Sequence, residues 1–148
     1  ATAAMTGMMS HEVRANKVSR MQILNLAIET IKVGRALGYS VVPPMGDFSL
    51  DDMEEAAGPN GHPELDRVLL GEPPAVPGRP SMAQDVIKGR ATEIDYLNGM
   101  VSDKGTEIGI KTPYSNAVVE VLKAVESGEF DVGVDNLDRV ASIVRASA

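Results

Sequence analysis

Eight of the nine prolines in this 148-residue chain fall between Val42 and Ser81, and only Pro113 lies elsewhere. Proline fixes φ, removes a backbone donor and costs roughly 3 kcal/mol inside a helix, so that stretch can hold only short helices and extended connections. Long helices are confined to the flanks, and the flanks carry the helical pattern. Between Asn16 and Gly38 the apolar residues Met21, Leu24, Ile28, Ile31 and Leu37 recur at helical spacing, with a wider gap near the end. Asn16 suits the start of this helix and Gly38 its stop, while Gly34 weakens the interior by about 1 kcal/mol relative to Ala.

Inside the proline-rich middle, Ser49 can cap a short helix ending near Gly58, with Asp51, Asp52, Glu54 and Glu55 as a solvated acidic face. His62-Pro63 opens a second short helix that stops at Gly71, and residues 72–80 read as an extended surface loop. Beyond them, Ser81-Met82-Ala83-Gln84 has the form of a capping box and Thr92-Glu93-Ile94-Asp95 a related form. The helix after Thr92 should run to about Gly109 and turn Ile94, Leu97, Val101 and Ile108 toward a core, although Gly99 and Gly105 loosen it. Thr112-Pro113 starts a helix bearing Val118, Val121, Leu122 and Val125 and stopped by Gly128; Asp135 can cap a last one bearing Leu137, Val140, Ile143 and Val144. Tyr39 to Val42 is the one short β-branched run outside a helical pattern. The pattern predicts an all-α chain of one domain over residues 1–148.

Charge and composition exclude several classes of function. The net charge of -7 repels phosphate backbones and anionic lipid heads, so neither nucleic acid nor a membrane surface is an expected partner. Without cysteine there is no disulfide, no thiolate nucleophile and no Cys-bound metal; a cytoplasmic setting fits. No apolar run approaches the roughly 18 residues of a membrane helix, and Ala1 to Ser10 lacks the regions of a signal peptide. The start at Ala1 rather than Met is read as an N-terminal truncation.

Generic catalytic motifs are missing. There is no Gly-x-Gly-x-x-Gly and no phosphate-binding Gly-Lys-Ser/Thr. His11 lacks the second histidine of a zinc helix and His62 stands alone, so no metal is expected; Met5, Met8 and Met9 read as core packing.

One segment is more specific. Residues 81–99, SMAQDVIKGRATEIDYLNG, resemble the signature of the ketopantoate reductase (2-dehydropantoate 2-reductase) family. Gly109-Ile110-Lys111-Thr112-Pro113 with Asn116 is similar to that family's next turn and helix start, and Val33 to Gly38 is similar to the helix end before its variable region. Asp131 to Ala148 has no match, leaving 131–148 as a C-terminal helical extension.

The resemblance implies a multi-helix C-terminal domain of the 6-phosphogluconate-dehydrogenase-like type, without its N-terminal Rossmann domain. It implies an enzyme that reduces ketopantoate, or a similar 2-oxo acid, with NADPH, on the route to pantothenate. The Rossmann domain would hold the NADPH, and a homodimer is expected. The serine at the position of Ser81 contacts the substrate carboxylate in that family, and the glutamate at the position of Glu93 contacts the hydroxyl and supports turnover. Asp95 and Asn98 recur in the pattern but also fit capping and a helix irregularity. Gly78 stands where some members have a substrate-binding Asn. The family's catalytic Lys, followed by Asn at helical spacing, has no matched position; Lys17 with Asn25 mimics part of it, with Met21 in the intervening Asn place. This chain alone is expected to be inactive. The alternative from a different class is a non-enzymatic helical module that dimerises or binds a partner.

Overall fold

The computed structural model describes residues 1–72, 74 and 76–147. Among these are nine α-helices, one π-helical turn and no strand. In chain order the helices are α1 (Thr2–Thr6), α2 (Ser10–Ala15), α3 (Lys17–Ala36), α4 (Leu50–Ala57), α5 (Pro63–Leu70), α6 (Ser81–Ile87), the π turn (Asp95–Gly99), α7 (Met100–Ile108), α8 (Pro113–Glu126) and α9 (Asn136–Ala146). No helix among the described residues is long and apolar enough to cross a membrane.

Two apolar clusters share α3. Leu24, Ile28 and Ile31 face Met53 and Ala56 of α4 and Leu65 and Leu69 of α5. Ile23 and Leu26, on another side of the same helix, pack against the larger cluster of Met5, Val13, Met82, Ile94, Val118, Val121, Leu122, Leu137 and Val140. The middle of α3 therefore lies between two cores, and its apolar residues exceed a single stripe. Residues beyond 131 belong to the larger core: Leu137 and Val140 are buried, and Asn136 Nδ2 donates to the carbonyls of Met5 (2.8 Å) and Asp131 (2.9 Å).

Several local expectations hold. Asn16 Oδ1 accepts the Ser19 N–H at 3.1 Å, Ser49 and Asp52 form a reciprocal capping box, and His62 Nδ1 accepts the Leu65 N–H at 3.3 Å. The two hydrogen bonds from Ser49 hold the Asp52 carboxyl below its ordinary pKa. The predicted loop over residues 72–80 is irregular where described; Pro73 and Ala75 lie outside the described residues.

Others fail for physical reasons. Ser81 is the first residue of α6, not its cap: Pro80 precedes it, the serine makes no capping bond, and Gln84 Nε2 instead donates to the Arg79 carbonyl. Thr92 Oγ1 accepts from Ile94, two residues on, and the helix that follows opens as a π turn. There Gly99 N–H reaches back five residues to the Ile94 carbonyl at 2.9 Å. This wider turn displaces the α-helical register. Ile94 and Gly99 are buried, whereas Leu97 (52% exposed) and Ile108 (37%) face out. Asp135 likewise makes no side-chain cap, and Leu37 is exposed. Tyr39 to Val42 forms no strand; Val41 folds back onto α3.

Two helical glycines are explained by close approach. A Cβ on Gly34 would meet Val41 Cγ2 at 2.8 Å, and one on Gly105 would lie 2.8 Å from both the Ile110 carbonyl oxygen and Thr112 Cγ2. Because a backbone atom is in the way at Gly105, Gly105→Ala should destabilise by about 1–3 kcal/mol despite its better helix propensity. Urea denaturation is the check; a neutral or stabilising alanine would contradict this packing.

Candidate functional site

The signature segment is anchored at both ends. Upstream of Ser81, the Ser10 N–H donates to the Gly78 carbonyl at 3.0 Å and Arg79 Nη1 donates to the Gly7 carbonyl, tying the loop to the α1–α2 connection. Around Glu93, the Thr92 N–H donates to Glu126 Oε1 at 2.7 Å, and Lys123 Nζ pairs with Asp95 Oδ1 at 2.7 Å. Both partners come from α8, whose apolar face is buried and whose position is thereby fixed. Asp95 is thus held in an ion pair and does not cap a helix.

Ser81 and Glu93 themselves are left free. Both are exposed, and neither the Ser81 hydroxyl nor the Glu93 carboxylate bonds to any other group among the described residues. The duty that would make Ser81 merely structural, helix capping, is one it does not perform.

Beside these residues lies a cavity of about 510 Å³. Val13, Ile23 and Leu26 provide its apolar wall, Ser10, Arg14 and Asn98 its polar side, and Pro80 and the first residues of α1 complete it. Neither Ser81 nor Glu93 lines it, but Pro80 adjoins Ser81, and Asn98 belongs to the π turn that follows Glu93. Sequence reasoning set Asn98 aside as a helix irregularity. The irregularity is real, and the turn that contains it carries Asn98 to the cavity, in keeping with the frequent placement of π turns at functional sites.

Arg14 was not singled out by sequence. Its Nε is buried without a partner among the described residues, as is His11 Nδ1, three residues earlier on the same face of α2. Lys17, the partial mimic of the family lysine, is exposed at the start of α3 and lines a different groove with Val18, Met21 and Tyr114. Asn25 spends its amide on the Met21 carbonyl at 2.9 Å.

His62 does not stand alone: its ring lies with Asp52 and Glu55, ligand-capable atoms within 4.8 Å of one another. Its Nδ1 accepts the Leu65 N–H and its ring packs edge-on to Phe48, which gives the histidine a structural duty.

The family model described as "Ketopantoate reductase PanE/ApbA C terminal" matches residues 1–126. The chain belongs to that family. As a ketopantoate reductase C-terminal domain it resembles the 2-dehydropantoate 2-reductase of Streptococcus pyogenes, 47% identical over 49 residues, which cover 32% of this chain and 16% of that protein. The enzyme of the same name from Archaeoglobus fulgidus is 38% identical over 50 residues, 34% of this chain and 17% of its own length. Among solved structures, D-mandelate dehydrogenase in a ternary structure with NADH and anilino(oxo)acetate superposes with a TM-score of 0.60 at 26% identity. That match covers 85% of this chain and 46% of the dehydrogenase. The chain therefore spans less than half of its structural relative, and the matched segments about one-sixth of these reductases. The all-helical fold agrees with a C-terminal domain of this family.

The described residues do not form a Rossmann cradle for a dinucleotide. A Rossmann cradle needs a strand, a glycine-rich turn and a helix, and the described residues contain no strand. No residue of this chain is assigned to the cofactor.

Proposed function

We propose that this chain is the substrate-side domain of an NADPH-dependent oxidoreductase that reduces ketopantoate, or a similar 2-oxo acid, to the 2-hydroxy acid. The observation that carries this reading is the pair of unengaged groups in the family segment, the Ser81 hydroxyl and the Glu93 carboxylate, held by neighbours that are themselves firmly tied. In this reading Ser81 donates a hydrogen bond to the substrate carboxylate. Glu93 accepts one from the hydroxyl of the 2-hydroxy acid and so orients the reacting carbon. NADPH, held by a Rossmann domain outside these residues, would supply the hydride, and a general acid would deliver the proton to the ketone oxygen. The setting is cytoplasmic, and the protein is a homodimer.

The test is steady-state kinetics with NADPH and ketopantoate in the protein that carries this domain together with its Rossmann domain. Glu93→Gln should lower kcat about 100-fold with the KM for NADPH held within about twofold, because the lost contact is to substrate alone. Ser81→Ala should raise the KM for ketopantoate about tenfold, the value of one charge-assisted hydrogen bond. Wild-type constants in both variants would sink the proposal.

The second reading, a helical dimerisation module, draws on the exposed side chains of Tyr96, Leu97 and Met100, clustered around the π turn. Unaltered turnover in Glu93→Gln, together with a mass that rises with concentration in light scattering, would favour it.

A further inference from the structure

Arg14 is a charged residue without a charged partner. Its guanidinium takes part in none of the salt bridges among the described residues, and its Nε is buried and unpaired. The head group lies against Gly71, whose φ of +59° and missing Cβ make room for it: a Cβ there would lie 3.0 Å from Arg14 Nη1 and 3.6 Å from Cζ. Leaving a buried guanidinium donor unmet is costly, and the usual remedy is an anionic oxygen. Arg14 lines the cavity of about 510 Å³ whose opposite character is apolar, from Val13, Ile23 and Leu26, with Ser10 and Asn98 as further polar groups. A planar donor fork beside an apolar wall is matched to a small carboxylic acid with a branched or aromatic body.

We propose that Arg14 is a ligand-binding residue that holds a carboxylate in this cavity while the body of the acid lies against Val13, Ile23 and Leu26. This carboxylate site is separate from the substrate contact proposed for Ser81, which does not line the cavity; it rests on Arg14 and the cavity alone. A structural role makes the opposite predictions. If Arg14 served only to neutralise the C-terminal ends of α2 and α5, its removal would destabilise the fold and leave binding untouched.

The experiment uses the 148-residue chain, with 3-methyl-2-oxobutanoate, its methyl ester and inorganic phosphate as probes, each titrated while the amide resonances of Ser10, Val13 and Asn98 are followed by NMR. The acid should bind at least about tenfold more tightly than the ester and than phosphate, as expected when one charge-assisted fork and one apolar wall act together. Arg14→Met should weaken the acid about 10- to 100-fold, leave the ester unchanged, and hold or raise the melting midpoint of the ligand-free protein, since an unmet buried donor has been removed. Arg14→Gln, which keeps a neutral donor, should lose the acid preference while retaining the fold. Equal binding of acid and ester, equal binding of phosphate, or a lowered midpoint with unaltered acid affinity would each overturn the assignment. The two proposals fail separately: unaltered acid binding in Arg14→Met with a crippled Glu93→Gln enzyme removes only the Arg14 site. Lost acid binding with a normal Glu93→Gln enzyme removes only the reductase reading.

Discussion

Glu29→Ala is expected to lower stability by about 3 kcal/mol, a fall in melting midpoint of roughly 6–12 °C for a chain of this size. Glu29 lies in the middle of α3 and is 6% exposed, yet its carboxylate works on another helix. Oε1 accepts the Tyr114 N–H at 2.7 Å, and Oε2 accepts the Ser115 N–H at 2.8 Å and the Ser115 hydroxyl at 2.6 Å. Those amides are the second and third of α8, whose residue before the first turn, Thr112, makes no side-chain cap. Alanine leaves three donors unmet at a buried helix start, each worth about 1–3 kcal/mol, offset by release of a desolvated carboxylate. Glu29→Gln should cost about 1–2 kcal/mol, since one amide oxygen replaces two carboxylate oxygens. The pH dependence separates the variants. Burial raises the Glu29 pKa above its ordinary value, with the bonds from Ser115 and Tyr114 opposing. The folded state therefore holds this proton more tightly than the unfolded chain, so this group's contribution to stability declines as pH rises from the ordinary glutamate range through the raised value. Neither variant should show that component. A Glu29→Ala protein as stable as the parent would mean that water caps α8 equally well.

Glu29 also marks where the sequence stops being informative. Asn16 and Ser49 cap their own helices from within three residues, and each was legible because donor and acceptor share one local pattern; at His62 the sequence marked the helix start but not the capping by its ring nitrogen. The start of α8 is satisfied from 85 residues away, and the turn before Glu93 is held by Glu126 from 34 away. Spacing cannot reveal either. The Ser-x-x-Gln and Thr-x-x-Asp patterns marked the two helix starts but not their caps: Gln84 bonds to the Arg79 carbonyl, and Thr92 Oγ1 accepts from Ile94 as the chain enters a π turn. Apolar periodicity located α3, α8 and α9 and their cores, whereas the five-residue turn from Ile94 to Gly99 put Leu97 and Ile108 on the outside. For the site, the family segment pointed to Ser81 and Glu93. The cavity beside them was invisible because Val13, Ile23 and Asn98 meet only through tertiary packing, and Arg14 shows its character only by the partner it lacks.

The second large effect concerns the joint between α2, α3 and α5. Arg20, 7% exposed, sends Nε to Asp66 Oδ1 at 2.8 Å and Nη2 to Oδ2 at 3.1 Å, while Nη1 donates to the carbonyls of Arg14 (2.6 Å) and Ala15 (3.1 Å). One side chain therefore closes the C-terminal end of α2 and clamps the first turn of α5. Methionine fills similar volume but meets none of these four acceptors. Two of them belong to a half-exposed carboxylate that water can serve, so the loss comes chiefly from the two carbonyls. Arg20→Met should accordingly cost about 2–3 kcal/mol. The hydrogen bonds from Arg20, and then its charge, hold the Asp66 carboxyl below its ordinary pKa. The folded state thus releases this proton more readily than the unfolded chain, so the pair's stabilisation is present above the ordinary aspartate range and fades as pH falls through the lowered value. Denaturation of parent and Arg20→Met as a function of pH should give curves parallel near neutrality that converge in acid. Curves that stay parallel to the lowest pH would show that Asp66 contributes nothing, whereas Asp66→Asn should reproduce the convergence while retaining both carbonyl contacts. Because Arg20 bonds the carbonyl of Arg14, loosening this joint also loosens the residue proposed to hold a carboxylate. Arg20→Met should therefore weaken binding of 3-methyl-2-oxobutanoate even though Arg20 does not line the cavity.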